Sequence, residues 1–369
     1  MKVQVFESKS LNYLRILPVS ITLIFLLYLI TPNLPFTTCV KQSYIPQNTI
    51  VPNSCTIFSV NYSNKVFFGN NEDYRLTGTY MWLAPSQEIT TPYGHLTTYG
   101  GVGFGFKYNN DPADGHIQGG MNDQGLCLDG NGLPTVYLNP HPELEPKYMS
   151  LAAQILMECK NVSEVIDWFL SHYLGDSWGC QVHAADASGD AVVVSVGPEG
   201  EFNFTRKVSS HYLVSTNFNL ANYDNGDYPC IRYTTACNML EDITSEENLT
   251  VDACREVLDA VHMEGDYATK YSNIFDPVNL NCHLFFNHNF NQSFTFNLGE
   301  ELASVHPGGE NVIEENGIYF KEIRISSLFI DDPITIIPSY PLLILFTIIA
   351  VLSTIIIYKY KTGRTKTWF

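Results

Sequence analysis

Two residues in the first third of the chain have the types and spacing for covalent chemistry. Cys55 opens an apolar segment, and Asp73 closes the segment after it. Residues 55–62 (CTIFSVNY) read as one strand, Ser63-Asn64-Lys65 as a tight turn, and residues 66–73 (VFFGNNED) as the returning strand. If Tyr62 faces Val66 across the turn, the register carries back until Cys55 faces Asp73. A cysteine at a strand start beside a carboxylate suits a chain whose mature form begins at that cysteine. The thiol is then the nucleophile, the freed α-amine the base, and Asp73 the group that holds the amine. An ordinary hairpin with a buried cysteine and a loop aspartate fits the same residues, so the hairpin alone leaves both readings open.

An amide attacked by a thiolate passes through an oxyanion that needs donors already aimed at it, and the departing amine needs a proton. An α-amine titrates near about 8 in model peptides, which suits a base working near neutrality. Until the Ser54–Cys55 bond is cut, that nitrogen is an amide and has no base function. Activity therefore depends on proteolysis.

The pattern Cys55-Thr56, then Phe68-Gly69-Asn70-Asn71-Glu72-Asp73, resembles the opening of the choloylglycine hydrolase family. That family includes bile salt hydrolases, penicillin V acylases and related acyltransferases, all N-terminal-nucleophile (Ntn) hydrolases. Three further segments resemble family motifs in the same order: Gly119-Gly120-Met121-Asn122-Asp123-Gln124-Gly125-Leu126, Val214-Ser215-Thr216-Asn217-Phe218, and Tyr228-Pro229-Cys230-Ile231-Arg232-Tyr233. The resemblance implies that Cys55 is freed by self-cleavage and that Asp73 contacts its amine. It also implies that Asn217 is an oxyanion donor and that Arg232, near the nucleophile, lowers the thiol pKa.

Two positions depart from the family. Bile salt hydrolases have Arg where this chain has Asn70, which removes a positive charge and a substrate contact. The family's second oxyanion Asn lies two residues before a Pro. Gly132 holds that place before Pro134, and Asn131 beside it is the substitute, although one step along a strand reverses the face. The resemblance thus implies the linear-amide hydrolase and acyltransferase branch rather than a bile salt specialist. The alternative is a catalytically silent ectodomain that binds a ligand or partner, which Asn70 and Gly132 keep open.

The formal net charge of −18 disfavours nucleic acid and anionic headgroups as partners. No Cys-x-x-Cys or Cys/His cluster has zinc spacing, and the chemistry above calls for no metal or cofactor. The histidines at 95, 116, 183 and 262 show neither metal spacing nor a pairing with Cys55. A small-molecule amide is the expected partner, and the oligomeric state stays open. With Cys55 free, the other eight of the nine cysteines can pair in an oxidising compartment.

Residues 16–30 form an apolar run preceded by Lys2, Lys9 and Arg15, and residues 342–358 form a second, followed by Lys359, Lys361, Arg364 and Lys366. Both basic flanks fall on the cytoplasmic side by the positive-inside rule, which places the body between them outside the cell or in a lumen. Sequons at Asn61, Asn161, Asn203, Asn248 and Asn291 agree with that side. The chain divides into a signal peptide or signal anchor (1–31), a linker or propeptide (32–54), the body (55–330), a transmembrane helix (338–358) and a basic cytoplasmic tail (359–369).

Within the body, residues 97–108, 117–129, 181–185, 191–196, 201–206, 211–215 and 274–298 read as strands. Helical spacing covers 149–159, 162–173, 233–241 and 251–262. Strands, helices, strands, helices, strands is an α+β order that points to a sandwich, and the resemblance implies the four-layer αββα Ntn-hydrolase sandwich. The aromatic strands 97–108 and 285–296 either line an apolar acyl pocket or pack the core. With Asn70 in place of Arg, the expectation is a neutral, apolar acyl group in preference to conjugated bile salts.

Overall fold

Pleating along the first strand sorts its side chains into two cores. Ile57 faces one cluster with Phe68, Phe104 and Tyr271, while Phe58 and Val60 face another with Leu240, Val257 and Leu258. The computed structural model describes residues 55–75, 78–107, 115–315 and 317–329. All of these lie within the second of two compact units, which starts at Val51.

The principal elements are β1 (Thr56–Tyr62), β2 (Lys65–Asp73), β3 (Thr79–Ala84), β4 (Gly101–Lys107), β5 (Gly115–Asn122) and β6 (Cys127–Tyr137). Helices α1 (Leu151–Glu158) and α2 (Val162–Ser171) follow. After them come β7 (Ser177–Ala185), β8 (Ala191–Val196), β9 (Phe202–Arg206) and β10 (Tyr212–Ser215). Then come α3 (Ile231–Glu241), α4 (Val251–Ala260), β11 (Thr269–Asp276), β12 (Asn281–Phe286) and β13 (Asn289–Asn297). A short α5 (Leu298–Ala303), β14 (Val312–Glu315) and β15 (Ile318–Arg324) complete the set.

These strands form a six-stranded sheet, ordered β10-β1-β2-β11-β12-β13, and a nine-stranded sheet, ordered β9-β8-β7-β6-β5-β4-β3-β15-β14. Their inner faces meet in a core that contains Phe68, Phe275, Met81, Phe104 and Met121. Helices α1 and α2 cover the outer face of the larger sheet through Ile155, Val165 and Phe169. Helices α3 and α4 cover the smaller one through Ala236, Leu240 and Val257. The result is the αββα layering expected, with each helix amphipathic enough to bury one stripe. Caps mark the starts of α2 and α4: Asn161 accepts from the Glu164 backbone N–H, and Thr250 from that of Ala253.

Strand β2 lies between β1 and β11 and is buried along nearly its whole length. Its glycine has a specific reason, because a Cβ at Gly69 would come within 2.3 Å of the Phe58 ring. The ring packs over that bare backbone.

All four expected helices are present; three end one or two residues early, while α3 ends at Glu241 as expected and begins two residues sooner. The segment 97–108 is interrupted before β4 begins at Gly101. Strands β3 and β15 pair with each other in the larger sheet, although neither showed a clear strand pattern in sequence. The apolar stretches 16–30 and 342–358, the linker 32–54 and the tail 359–369 lie outside the described residues. No helix among the described residues is long and apolar enough to cross a membrane. The eight described cysteines are all unpaired, so the disulfides that an oxidising compartment would permit are not formed among them.

Candidate active site

The hairpin carries the site, with a register one residue away from the expected one. Tyr62 pairs with Lys65, not with Val66, and Thr56 pairs with Asn71. The connection is therefore the two-residue turn Ser63-Asn64, with Ser63 at a φ of 50°. Continued back one step, Cys55 lies across from Glu72, and the expected pairing with Asp73 is corrected. The step matters because side chains alternate: Cys55, Ile57 and Ser59 face the other sheet, together with Phe68, Asn70 and Glu72. Asp73 falls on the helix-facing side with Thr56.

Cys55 remains close to both carboxylates. Its thiol accepts a hydrogen bond from the Asp73 backbone N–H and donates to the Glu72 carboxyl. Burial pushes the thiol well above its ordinary pKa, and the charges of Glu72 and Asp73 push it further. Arg232 lies on the carbonyl side of Cys55, so the expected lowering of the thiol pKa by its charge is not what this arrangement provides.

Arg232 enters from the first turn of α3. Its Nη1 donates to the Cys55 carbonyl at 3.0 Å and to Thr56 Oγ1 at 3.0 Å, and its Nη2 donates to Asn217 Oδ1 at 2.9 Å. The same guanidinium stands 3.6 Å from Asp73 Oδ2. Thr269 Oγ1 donates to Asp73 Oδ1 at 2.5 Å. Burial raises the Asp73 carboxyl to about 8, against the pull of Arg232 and Thr269.

Asn217 follows β10 at the edge of the smaller sheet. Its Oδ1 also accepts from the Cys55 backbone nitrogen at 2.9 Å, and its Nδ2 donates to the Gly132 carbonyl at 2.9 Å. Two donors on one oxygen fix which way the amide points. The expected oxyanion donor is thus beside Cys55, with its NH2 directed at the Gly132 backbone. Asn131 lies on the inward face of β6 with Cys127 and Asp129, and its Nδ2 donates to the Cys55 carbonyl at 3.3 Å. Gly132 contributes its carbonyl, and Asn131 is the residue of the two whose side chain reaches Cys55.

Asn70 requires a correction as a substrate contact. It is fully buried on the inward face of β2, donates to Asp129 Oδ2 at 2.7 Å, and does not line the cavity at Cys55. The central position of β2 leaves its side chain no route to solvent. The cavity, of about 380 Å³, is walled by Cys55, Glu72, Asn131, Leu151 and Trp178, with Lys147 also lining it. A second cavity of about 410 Å³ shares Ile117 with it and is lined by Trp82, Tyr99, Val102 and Phe320. Tyr99 and Val102 come from the aromatic segment 97–108, whereas the segment 285–296 lines neither cavity.

Several site residues were not marked by the sequence. Glu72 and Asp129 meet between the sheets, and burial raises both carboxyls, Asp129 to about 7. Gln181 on β7 donates to the carbonyls of Thr216 and Phe218 at 2.7 and 2.8 Å, which holds the segment bearing Asn217. His183 sits between the hydroxyls of Ser59 and Ser215, lowered to about 3 by burial, and is neutral. The inward alternation of β6 and β7 would have grouped Asp129, Asn131, Gln181 and His183, had the pairing of these strands with each other been readable.

A family model for acyl-coenzyme A:6-aminopenicillanic acid acyl-transferase matches residues 60–225, a span that holds Asp73, Asn131 and Asn217 and stops short of Cys55 and Arg232. A comparison with curated proteins finds no match. Among solved structures, an arginine-to-leucine variant of conjugated bile acid hydrolase from Clostridium perfringens superposes with a TM-score of 0.51 at 14% identity, covering 73% of this chain and 97% of that one. A cysteine-to-alanine mutant of the same enzyme gives 0.49 at 14% identity, over 67% of this chain and 93% of that one. Penicillin V acylase from Agrobacterium tumefaciens gives 0.46 at 14% identity, over 63% and 82%. Over residues 60–225 the chain is thus similar to the acyl-transferase family, and it shares its αββα fold with the conjugated bile acid hydrolase.

Proposed function

We propose that this protein is a membrane-anchored, extracytoplasmic amidase that cleaves a linear, non-peptide amide through a thioester on Cys55. One observation carries the reading. The first residue of a buried strand is a cysteine in a cavity wall, with its backbone nitrogen held by Asn217 and its carbonyl by Arg232 and Asn131. Such anchoring at both ends of one residue makes sense if the nitrogen becomes a free amine whose position must not change on cleavage.

In the mature enzyme the amine takes the thiol proton as sulfur attacks the amide carbonyl, then returns it to the departing amine. Water resolves the thioester, and a second amine would resolve it by acyl transfer. The acyl group fits the side of the cavity formed by Leu151, Trp178 and Ile117. These apolar side chains favour a neutral, apolar acyl group. The membrane attachment and the location outside the cytosol are supported by the two apolar stretches with basic flanks and by the sequons.

Mass spectrometry of the mature protein tests the reading together with turnover of N-acyl amines, N-acyl amino acids, penicillin V and glycocholate. The expected result is an N-terminus at Cys55 and preference for an uncharged apolar acyl group. A fully active protein that still carries residues 40–54 would overturn the mechanism. Absence of any turnover from a protein that starts at Cys55 would favour a silent binding domain, and glycocholate as best substrate would refute the selectivity.

A further inference from the structure

The α-amine cannot help in the reaction that creates it. Before the Ser54–Cys55 bond is cut, the Cys55 nitrogen is an amide whose N–H is donated to Asn217. Some other group must accept the thiol proton if the chain cleaves itself. The neighbouring candidates are occupied. Asp73 holds Thr269 with one oxygen and faces Arg232 with the other. Asp129 accepts from Asn70 and from the Gly130 backbone N–H. Both nitrogens of His183 are bonded to serine hydroxyls.

Glu72 also accepts from Asn70, and Asp73 Oδ2 is as bare of hydrogen bonds as Glu72 Oε2. Glu72 differs in place, on the inner face with the thiol where Asp73 is on the helix-facing side. It is across the hairpin from Cys55 on the same face, it receives the thiol's hydrogen bond, and it lines the same cavity. It is 1% exposed, and its Oε2 has no hydrogen-bond partner. A buried carboxyl with a bare oxygen costs stability, since unmade hydrogen bonds in the interior are expensive, and a function would account for its presence.

We propose that Glu72 is the acid–base residue for self-cleavage at Ser54–Cys55, a step that the α-amine then supersedes in turnover. The Glu72 carboxylate takes the proton from Cys55 Sγ as sulfur bonds to the Ser54 carbonyl carbon. The C–N bond then breaks, and Glu72 returns the proton to the Cys55 nitrogen. Water hydrolyses the resulting thioester, which releases the Ser54 carboxylate and regenerates the thiol. No oxidant or second substrate enters the balance.

The groups facing Glu72 suit this role. Asp129 from β6, Asp73 from β2 and the Tyr271 phenol from β11 surround it, the Asn70 amide from β2 donates to it, and Cys55 lies opposite. Burial and the two acidic neighbours hold its carboxyl well above the ordinary glutamate value. A carboxyl shifted in that direction exchanges protons with thiol and nitrogen more evenly than an ordinary glutamate would.

The inference rests on the reading of Cys55 as a nucleophile that must be freed, so the test separates the two. Glu72→Gln is made in the full chain, and also in a full chain whose residues 49–54 are replaced by a specific protease site that leaves Cys55 first. The first should self-cleave roughly 10²-fold more slowly than wild type or not at all. The second, once cut, should lose far less in N-acyl amine turnover than the first loses in self-cleavage, each compared with its wild-type control, because the freed amine then takes the thiol proton. The wild-type cleavage rate should rise with pH, with a midpoint above the ordinary glutamate range, and Glu72→Asp should restore part of it.

Self-cleavage of Glu72→Gln at the wild-type rate overturns the proposal. So does a protease-released Glu72→Gln protein that is inactive while released wild type is active, because Glu72 would then serve turnover or the fold. A wild-type chain that never cleaves itself, yet turns over once released, overturns this inference and leaves the amidase reading in place. Released wild type that cleaves no amide overturns the amidase reading instead.

Discussion

Asn217 Oδ1 lies 2.9 Å from the Cys55 backbone nitrogen and 2.9 Å from Arg232 Nη2, so one amide oxygen ties the backbone of Cys55 to the guanidinium. Arg232 closes the circuit by donating to the Cys55 carbonyl. The residue that bears the thiol is therefore clamped on both sides by two groups that are 15 positions apart in sequence.

Replacing the nucleophile separates processing from chemistry. Cys55→Ala should leave residues 1–54 attached and reduce turnover by a factor on the order of 10⁴ or more. Cys55→Ser should self-cleave yet hydrolyse slowly, because a hydroxyl is a far weaker nucleophile than a thiol at the same position. Intact-mass measurement and amide turnover read the two effects independently. Normal activity in Cys55→Ala would move the active site elsewhere.

Arg232→Lys tests the clamp. A lysine ammonium is a point charge and cannot reproduce the fork that reaches Cys55, Thr56 and Asn217 together. A loss of roughly 10²-fold in kcat, with a much smaller change in KM, is expected. Because Arg232 pulls the Asp73 carboxyl down, Arg232→Ala should move Asp73 further above about 8 and extend its protonated range. An unchanged kcat in Arg232→Lys would show that the fork does not position the nucleophile.

Stability should fall as pH rises. Asp73 and Asp129 have folded-state values raised from 3.8 to about 8 and about 7, respectively. Between those limits the folded chain binds more protons than the unfolded one, so the stabilisation present below about pH 4 is lost as pH climbs through 7 to 8. Melting curves from pH 5 to 8.5 should show Tm declining by several degrees, at roughly 2–4 °C for each kcal/mol. Asp129→Asn should flatten the curve. A Tm that rises across this window would contradict the raised values.

Glycosylation offers a test of location that does not depend on catalysis. Asn203, Asn248 and Asn291 are exposed, whereas Asn61 is half-buried and accepts from Lys207. Asn161 is half-buried and caps α2. Glycopeptide mapping should find carbohydrate at the three exposed sequons and none at Asn61. Naked asparagines at all five in protein from a secretory host would speak against an extracytoplasmic body.

The hairpin, its cysteine and the alternation of strands and helices were legible because they depend on local pattern. Asn131 and Asn217 were found through motif order, and the inward face of β6 explains why Asn131 reaches Cys55 while Gly132 does not. Glu72, Asp129, Gln181 and Thr269 were not legible. Asp129, Gln181 and Thr269 acquire their places from pairing between strands distant in sequence, such as β2 with β11 and β6 with β7, and Glu72 from the one-residue register of the hairpin. Asn70 misled for the same reason, since a central strand hides on both faces what an edge strand would present.

The Ser63-Asn64 turn has a consequence for the chemistry at the far end of its hairpin. The spacing between Tyr62 and Val66 acts here as a setting that selects which acid the sulfur meets. One residue fewer between Tyr62 and Val66, with a two-residue turn kept, would pair Tyr62 with Val66, bring Asp73 opposite Cys55 on the inner face in place of Glu72, and turn Glu72 toward the helices. Homologous chains with identical motifs but a different spacing there would then carry different proton partners for the same thiol.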